Sequence, residues 1–399
     1  FSRLFPLSLP QKIAEEKMKN IHNSSFKIGL LGGGQLGRMT LQEAYNLNLH
    51  ICVLDPSAEA PCKDLAHEFV QGDFKDFDTV YAFGKDKDVI TIEFEDVNAD
   101  ALAQLEEEGK KVFPQAGVLK LIQDKGLQKQ FYEKHQIPTS PYHLINGKAD
   151  LENSELQFPI FQKLRTSGYD GYGVQSLKSK ADLEKAFDAP SVIEEAVDLD
   201  KELSVIVARN KKGEIKHFPL VEMEFNPIAN MVEFLFSPAS VQKEVEEKAY
   251  RLAEKVIEKL DMVGILAVEM FLDKKGNLMV NEVAPRAHNS GHHTIEGNIT
   301  SQFAQHLRSI LNLPLGDTKL IQPAVMVNLL GEEDAKGEAD YRGMTALLTE
   351  SGVYPHLYGK AMVKPFRKMG HVTIVNPSLE EAKKLAKKIK SSATVSAKK

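Results

Sequence analysis

The chain has 399 residues, of which 42% are hydrophobic and 27% charged, with a formal net charge of -6. This is the make-up of a water-soluble globular protein long enough for two or three domains, each with its own core. The acidic balance leaves no basic excess for nucleic acid, two cysteines exclude a disulfide framework and suit a reducing, cytoplasmic setting, and no apolar run approaches the about 18 residues needed to cross a membrane.

Residues 1–25 read as an extension ahead of the first ordered unit. The opening FSRLFPLSLP is apolar and basic but lacks a small-residue cleavage site, and Met18 is a natural start. From Phe26 the pattern becomes periodic: an apolar strand to Leu31, a glycine-rich turn, a helix over 35–46, and strands over 50–55, 89–93 and 111–113. Strands alternating with helices imply a parallel sheet, so residues 26–115 form an N-terminal α/β domain closed by Pro114. Cys52 falls in a strand and Cys62 in a loop. In the turn, Gly32, Gly34 and Gly37 fit G-x-G-x-x-G, with Asp55 ending the next strand and Gln35 and Arg38 close by. Glycines there allow a tight turn, and the helix N-terminus offers N–H groups to an anion. A purely structural turn, a substrate or nucleotide phosphate site, and an NAD fingerprint all fit this pattern.

Residues 116–195 read as a small middle domain. A helix over 125–133 stops at Ile137-Pro138, a strand over 159–164 carries Lys163, and the segment RTSGYDGYG has glycines at 168, 171 and 173, which make it a mobile loop. A fixed ammonium beside such a loop suits nucleotide phosphates held away from water. The strand that follows, IEEAV, could present its backbone to adenine, with Glu202 on the ribose.

Residues 196–399 form the largest unit. Val245, Ala249, Leu252, Val256 and Leu260 mark one face of a helix. Strands over 267–272 and 278–283 are joined by a Lys-Lys-Gly-Asn turn, and a helix over 301–311, a strand over 324–329 and a lysine-rich helix over 379–390 follow. Glu269 and Glu282 interrupt the paired strands. Two carboxylates on neighbouring positions repel, and a divalent cation that also binds phosphates resolves the conflict. Asn281 is a further polar ligand. Beyond lies APRAHNSGHHT, in which His288 and His292 suggest zinc, but Asn289 and Gly291 argue against the helix that would face both rings to one metal. Arg286 suits phosphate or bicarbonate oxygens.

Taken in order, GGGQLGRM, RTSGYDGYG, VEMF, VNEVAPRAHNSGHHT and KPFRKMGH resemble the N5-carboxyaminoimidazole ribonucleotide synthetase family of purine biosynthesis, from about Phe26 to Val375. The resemblance implies an α/β ATP-grasp architecture of three α/β domains, the first a Rossmann-like pre-ATP-grasp domain. It implies conversion of 5-aminoimidazole ribonucleotide, bicarbonate and ATP to the N5-carboxylated ribonucleotide, ADP and phosphate, with magnesium or manganese as metal and a homodimer as assembly. By the same resemblance, Lys125 and Lys163 hold ATP phosphates. Gly168, Tyr169, Asp170, Gly171, Tyr172, Gly173 and Val174 close over the nucleotide. Glu194, Glu195, Ala196 and Val197 line adenine, Glu202 meets the ribose, and Phe225, Asn281 and Glu282 complete the ATP site. Glu269 and Glu282 hold the metal.

The ribonucleotide falls to Gly34, Gln35, Leu36, Glu93, Tyr169, Asp170, Lys360 and Arg367, and bicarbonate to Arg286, His288 and Asn289. Lys163, Arg286 and Asp170 are the implied catalytic groups, the first two offsetting charge on the transferred phosphoryl and Asp170 meeting the amine. Ser167, Tyr172 and Phe225 depart from the family pattern, which usually has glycine, a basic residue and a polar residue there. Rival readings are another ATP-grasp ligase using formate or an amino acid, an NAD-dependent oxidoreductase, and a nucleotide-binding regulator without turnover.

Overall fold

Short apolar runs bounded by turn residues form the first sheet: β1 (Lys27–Leu31), β2 (His50–Asp55), β3 (Glu68–Gln71), β4 (Val89–Ile92) and β5 (Lys111–Val112), all parallel in the order β3-β2-β1-β4-β5. The computed structural model describes residues 20–152, 156–166, 168, 173–228 and 230–398. Strand order reverses between β1 and β4. In a parallel sheet that is where a crevice opens beyond the carboxyl ends of the strands, here at Gly32–Gly34 and Glu93–Glu95.

A four-stranded antiparallel sheet follows, β6 (Tyr142–Ile145), β7 (Ile160–Leu164), β8 (Val174–Leu177) and β9 (Ser191–Glu195), in the order β6-β9-β7-β8. Its core is its own: Ile145, Leu151, Ile160, Leu177 and Ile193. The preceding stretch packs elsewhere. Val118, Ile122, Phe131, Tyr132 and Ile137 enter the core of the large sheet that comes next.

That sheet has nine antiparallel strands. Its first six are β10 (Leu199–Arg209), β11 (Ile215–His217), β12 (Val221–Asn226), β13 (Met231–Ser237), β14 (Gly264–Asp273) and β15 (Leu278–Ala284). The chain continues through β16 (Ala324–Leu330), β17 (Gly337–Arg342), β18 (Val353–Leu357), β19 (Met362–Val363), β20 (Lys368–Val375) and β21 (Thr394–Ala397). The large sheet runs β15-β14-β10-β12-β13-β16-β20-β18, with β11 on β10, while β19-β17-β21 form a small separate sheet. The helix Lys243–Lys259 covers one face with the side predicted from its spacing: Ala249, Leu252, Val256 and Leu260 are buried and Val245 half-buried.

The first and large sheets share apolar contacts. Val263, Leu307 and Ile310 pack with Ile28, Leu41 and Ile51, and Leu36 and Met39 with Ala287, Phe303 and Tyr358. Hydrogen bonds lie along the same boundary, from Gln115 Nε2 to the Asp261 carbonyl (2.7 Å) and from the Val263 N–H to Gln115 Oε1 (3.0 Å). Among the described residues no helix is long and apolar enough to cross a membrane.

Candidate active site

The turn between β14 and β15 sets the register of the site. The Asp273 carboxylate accepts from the N–H groups of Lys275 (2.9 Å) and Asn277 (2.7 Å), and Gly276 takes φ +82°, which glycine adopts without strain. The hairpin then places Glu269 directly opposite Glu282. The ladder slips between Glu269 and Met270, whose partner is Val280. Asn281 is the extra residue of this bulge, and a bulge re-aims side chains that strict alternation would send to opposite faces. Asn281 and Glu282 thus both reach the cleft: Lys163 Nζ donates to Asn281 Oδ1 (2.9 Å), and Lys125 Nζ to Glu282. Burial and then the charge of Glu282 raise the Glu269 carboxyl above its usual range. Lys125, first of all, holds Glu282 well below it. Two acids of such unequal proton affinity, side by side, form a pair that a cation would neutralise. Two rather than three suits a metal completed by phosphate oxygens; among the described residues no cluster of three or more His, Cys, Asp or Glu forms a metal site.

Lys125 opens the helix Lys125–Lys134, whose N-cap Asp124 accepts from Gly126 and Leu127 and takes the Arg165 guanidinium in a two-pronged pair (2.9 and 2.6 Å). Lys163 comes from β7. At the base of the glycine loop the Leu164 N–H donates to the Gly173 carbonyl (2.8 Å), and Gly173 has φ +76°. Gly168 and Val174 flank the same loop, whereas Ser167, Tyr169, Asp170, Gly171 and Tyr172 lie outside the described residues.

Glu194 differs from expectation. Its carboxylate is buried between Lys129 and Lys163, each at 3.1 Å, and accepts from Ser140 Oγ at 2.9 Å. Burial alone would raise its pKa, but the two ammonium groups lower it. Burial also pulls Lys129 down to about 8. Glu195 is exposed and Ala196 and Val197 half-buried at the end of β9. Glu202, on β10, has its carboxyl raised to about 7, chiefly by burial. Phe225 packs against Val221, Met223 and Val232.

The first glycine turn also departs from expectation. Its N–H groups are already used: Gly33 donates to Asp55 Oδ2 (2.7 Å), and Gly34 and Leu36 (3.3 Å) donate to Glu93. An added Cβ on Gly34 would collide with the Glu93 carboxylate, whose pKa burial lifts to about 7. The carboxylates of Asp55 and Glu93 hold these three amides where a pyrophosphate would sit in an NAD fingerprint, which weighs against the NAD reading. Leu36 turns its side chain into the shared core. Gln35 is half-buried.

Beyond β15, Arg286 makes a two-pronged ion pair with Glu95, with Nη2 at 3.0 Å from Oε1. Two donors of the forked guanidinium are therefore already held by a carboxylate. His288 Nε2 lies 3.3 Å from Glu269 Oε1, and burial, then Arg286 and Lys368, keeps its imidazole neutral by lowering its pKa to about 3. Asn289 exchanges two buried hydrogen bonds with Asn328 (3.0 and 2.8 Å), which brace β16. Lys360 Nζ donates to the Lys368 carbonyl (2.7 Å) and Arg367 Nη1 to the Met362 carbonyl (2.6 Å). Arg38 approaches the same loop, 3.2 Å from where a Cβ on Gly359 would sit.

Four residues escaped the sequence reading. Glu95 had a signal, an acid at the carboxyl end of a parallel strand. Lys129 follows Lys125 by one helical turn. Lys368 belongs to the KPFRKMGH motif and is near enough to depress the Glu269 pKa. Ser140 had none.

Three family models match the chain in succession: the ribonucleotide synthetase preATP-grasp domain over residues 25–123, the ATP-grasp domain over 130–303, and the phosphoribosylaminoimidazole carboxylase C-terminal domain over 324–385. The N5-carboxyaminoimidazole ribonucleotide synthase of Bacillus subtilis is 39% identical over 362 residues, which cover 89% of this chain and 92% of the relative. The chloroplastic phosphoribosylaminoimidazole carboxylase of Vigna aconitifolia is 38% identical, and the chain spans 64% of its length. Among solved structures, the N5-carboxyaminoimidazole ribonucleotide synthetase of Thermotoga maritima superposes with a TM-score of 0.87 at 41% identity, covering 94% of this chain and 100% of that one. The Aspergillus clavatus synthase in complex with ADP and 5-aminoimidazole ribonucleotide gives 0.85 at 33% identity, over 92% and 98%. With this fold, and with that share of its relatives covered, the chain belongs to the N5-carboxyaminoimidazole ribonucleotide synthase family of ATP-grasp proteins.

Proposed function

We propose that this chain is an ATP-dependent carbon–nitrogen ligase that carboxylates 5-aminoimidazole ribonucleotide with bicarbonate, releasing ADP and phosphate, in purine biosynthesis. The observation that carries the reading is the facing pair Glu269–Glu282 with Lys125 and Lys163 on its cleft side. These four groups have the charge and spacing for a metal-bearing triphosphate. Glu269 and Glu282 would hold magnesium. When bound, that ion screens the triphosphate and polarises the phosphoryl group being transferred. Lys125 and Lys163 would leave their present carboxylate and amide partners for phosphate oxygens.

Bicarbonate is a poor electrophile. Attack of its oxygen on the terminal phosphorus expels ADP and gives carboxyphosphate, in which phosphate is a good leaving group. The exocyclic amine then attacks the carbonyl carbon, phosphate departs, and the amine loses a proton to a nearby base, for which the family resemblance offers Asp170. His288 is neutral and next to Glu269, so it can donate or accept a hydrogen bond to the carboxyl group without adding charge. The Glu95 pair fixes the plane of Arg286 at the edge of this space. Closure of the 167–173 loop would exclude water that hydrolyses carboxyphosphate. The family resemblance also implies a homodimer, which sedimentation would test.

Phosphate release, assayed with ribonucleotide and bicarbonate each omitted in turn, tests the reaction. Release that needs both supports it; release with formate or an amino acid in place of bicarbonate points to a different ligase. Glu282→Gln should abolish ADP formation while the chain still folds. Full turnover in that variant would overturn the metal assignment.

A further inference from the structure

Gly291 and His292 in the NSGHH run, and Gln302 at the start of the helix Gln302–Ile310, have no part in the chemistry above, yet they form one buried arrangement. Gln302 has no solvent exposure. Its Oε1 accepts from the His288 N–H (2.9 Å), and its Nε2 donates to the His288 carbonyl (2.8 Å) and to His292 Nδ1 (3.1 Å). The carboxamide thus grips both backbone groups of His288, as a strand partner would. Its main-chain N–H donates to Thr294 Oγ1 (2.9 Å), which donates to the Gly291 carbonyl (2.5 Å). Glycine at 291 is a steric requirement of the same grip, since an added Cβ would lie 2.9 Å from Gln302 Nε2 and closer still to the carboxamide carbon and oxygen.

A carboxamide can flip, exchanging donor and acceptor, and the flipped form would face the His288 N–H with an NH2 group. The His288 N–H and carbonyl oppose this, and His292 reinforces them in the tautomer that leaves Nδ1 unprotonated. With an unprotonated Nδ1 it accepts only from an N–H, so it favours the orientation that grips His288. The ring stacks on Phe303, 5.9 Å between centroids, and meets the tilted His371 ring at 4.8 Å, and burial keeps it neutral.

We infer that Gln302 is a positioning residue for the carboxylation reaction, fixing His288 beside Glu269 through a backbone grip whose polarity His292 reinforces. This rests on the function proposed above. Errors of about 1 Å at a reacting group cost up to about a hundredfold in rate, and His288, which lies in no strand, is held by this grip together with the Gly291 N–H on its carbonyl (2.9 Å) and Ser290 Oγ on its Nδ1 (2.9 Å).

Gln302→Glu keeps the shape and the acceptor for the His288 N–H but removes both donors. It should lower kcat or raise KM for bicarbonate by about tenfold or more, with ADP affinity within about twofold of the parent, because Lys125 and Lys163 stand on other elements. His292→Phe, which keeps a ring but no acceptor, should follow in weaker form, and His292→Asn, whose Oδ1 replaces Nδ1 as acceptor, should restore turnover. A readout free of activity is the tautomer of His292 by nitrogen-15 NMR of the full chain: proton on Nε2 in the parent, moved to Nδ1 in Gln302→Glu, where a carboxylate demands a donor. Unaltered bicarbonate kinetics in Gln302→Glu would overturn the inference, as would parallel loss of nucleotide affinity and melting temperature. His292→Asn failing where His292→Phe works would do the same. If the parent shows no bicarbonate-dependent turnover, the proposed reaction fails instead, and the tautomer still decides whether the grip is built as described.

Discussion

Glu194 shows what one position in a sequence can and cannot reveal. An acid in an apolar strand announces a polar partner, and IEEAV was legible to that extent. The partners were not, because Lys129 comes from a helix and Ser140 from a connection, and only the folded chain brings them to one carboxylate. The side chains of Lys129 and Glu194 are 3% and 5% exposed, so removing one charge strands the others. Glu194→Gln should destabilise the protein by about 3 kcal/mol, read from the shift in urea midpoint. Adding Lys129→Met should recover part of the loss, because one stranded ammonium leaves with it. A double variant less stable than the single one would contradict the idea that Glu194 is held there by the two lysines. The same blindness to partners explains Arg286: its forked chemistry was legible, but Glu95 at the end of a strand in the other large sheet was not.

Elements were the most readable scale, because periodicity and turn chemistry are local. The parallel first sheet, the helix Lys243–Lys259 and the β14–β15 hairpin fall where apolar spacing and glycine turns put them. Missing from the pattern was the bulge at Asn281, which alternation alone cannot show and which lets Asn281 and Glu282 share the cleft. At the start of the helix Lys125–Lys134, Asp124 has two duties, capping the first turn and holding Arg165 from the end of β7. Asp124→Ala should cost about 1 kcal/mol from the cap alone and more from the stranded guanidinium, and should weaken ATP binding because Lys125 is the first residue of that helix. Asp124→Asn, which can still cap, should lose less stability. Equal losses in the two variants, measured by thermal melting and by titration with ATP, would show that the cap is irrelevant.

On the scale of the whole molecule, which units share a core could not be read from local pattern. The first and large sheets are joined by apolar packing and by a buried hydrogen bond between Thr91 Oγ1 and His306 Nε2, 2.9 Å long. Burial lowers the His306 pKa from 6.5 to about 4. The unfolded chain therefore takes up a proton near pH 6.5 that the folded one refuses until about 4, so stability is complete above pH 6.5 and falls as the pH drops through that window. The loss for this one group is about 3 kcal/mol. His306→Gln should remove about one proton from the slope of unfolding free energy against pH between 6.5 and 4; an unchanged slope would mean that His306 does not titrate on unfolding.

The four-stranded sheet, in contrast, keeps a private core and meets the rest through polar contacts, Lys163 to Asn281 and Lys129 to Glu194. Polar contacts can be exchanged for a ligand's phosphates at little net cost, whereas parting a shared apolar core exposes it to water. The small sheet should then move when nucleotide binds, while the other two sheets stay together. In hydrogen exchange read by mass spectrometry, ATP should slow exchange across β6–β9 and the 165–173 connection together. The β1–β5 amides should stay within error of the unliganded rates, because their protection comes from a core the nucleotide does not touch. Protection spread evenly over the first sheet, or confined to residues of β14 and β15, would place the hinge elsewhere.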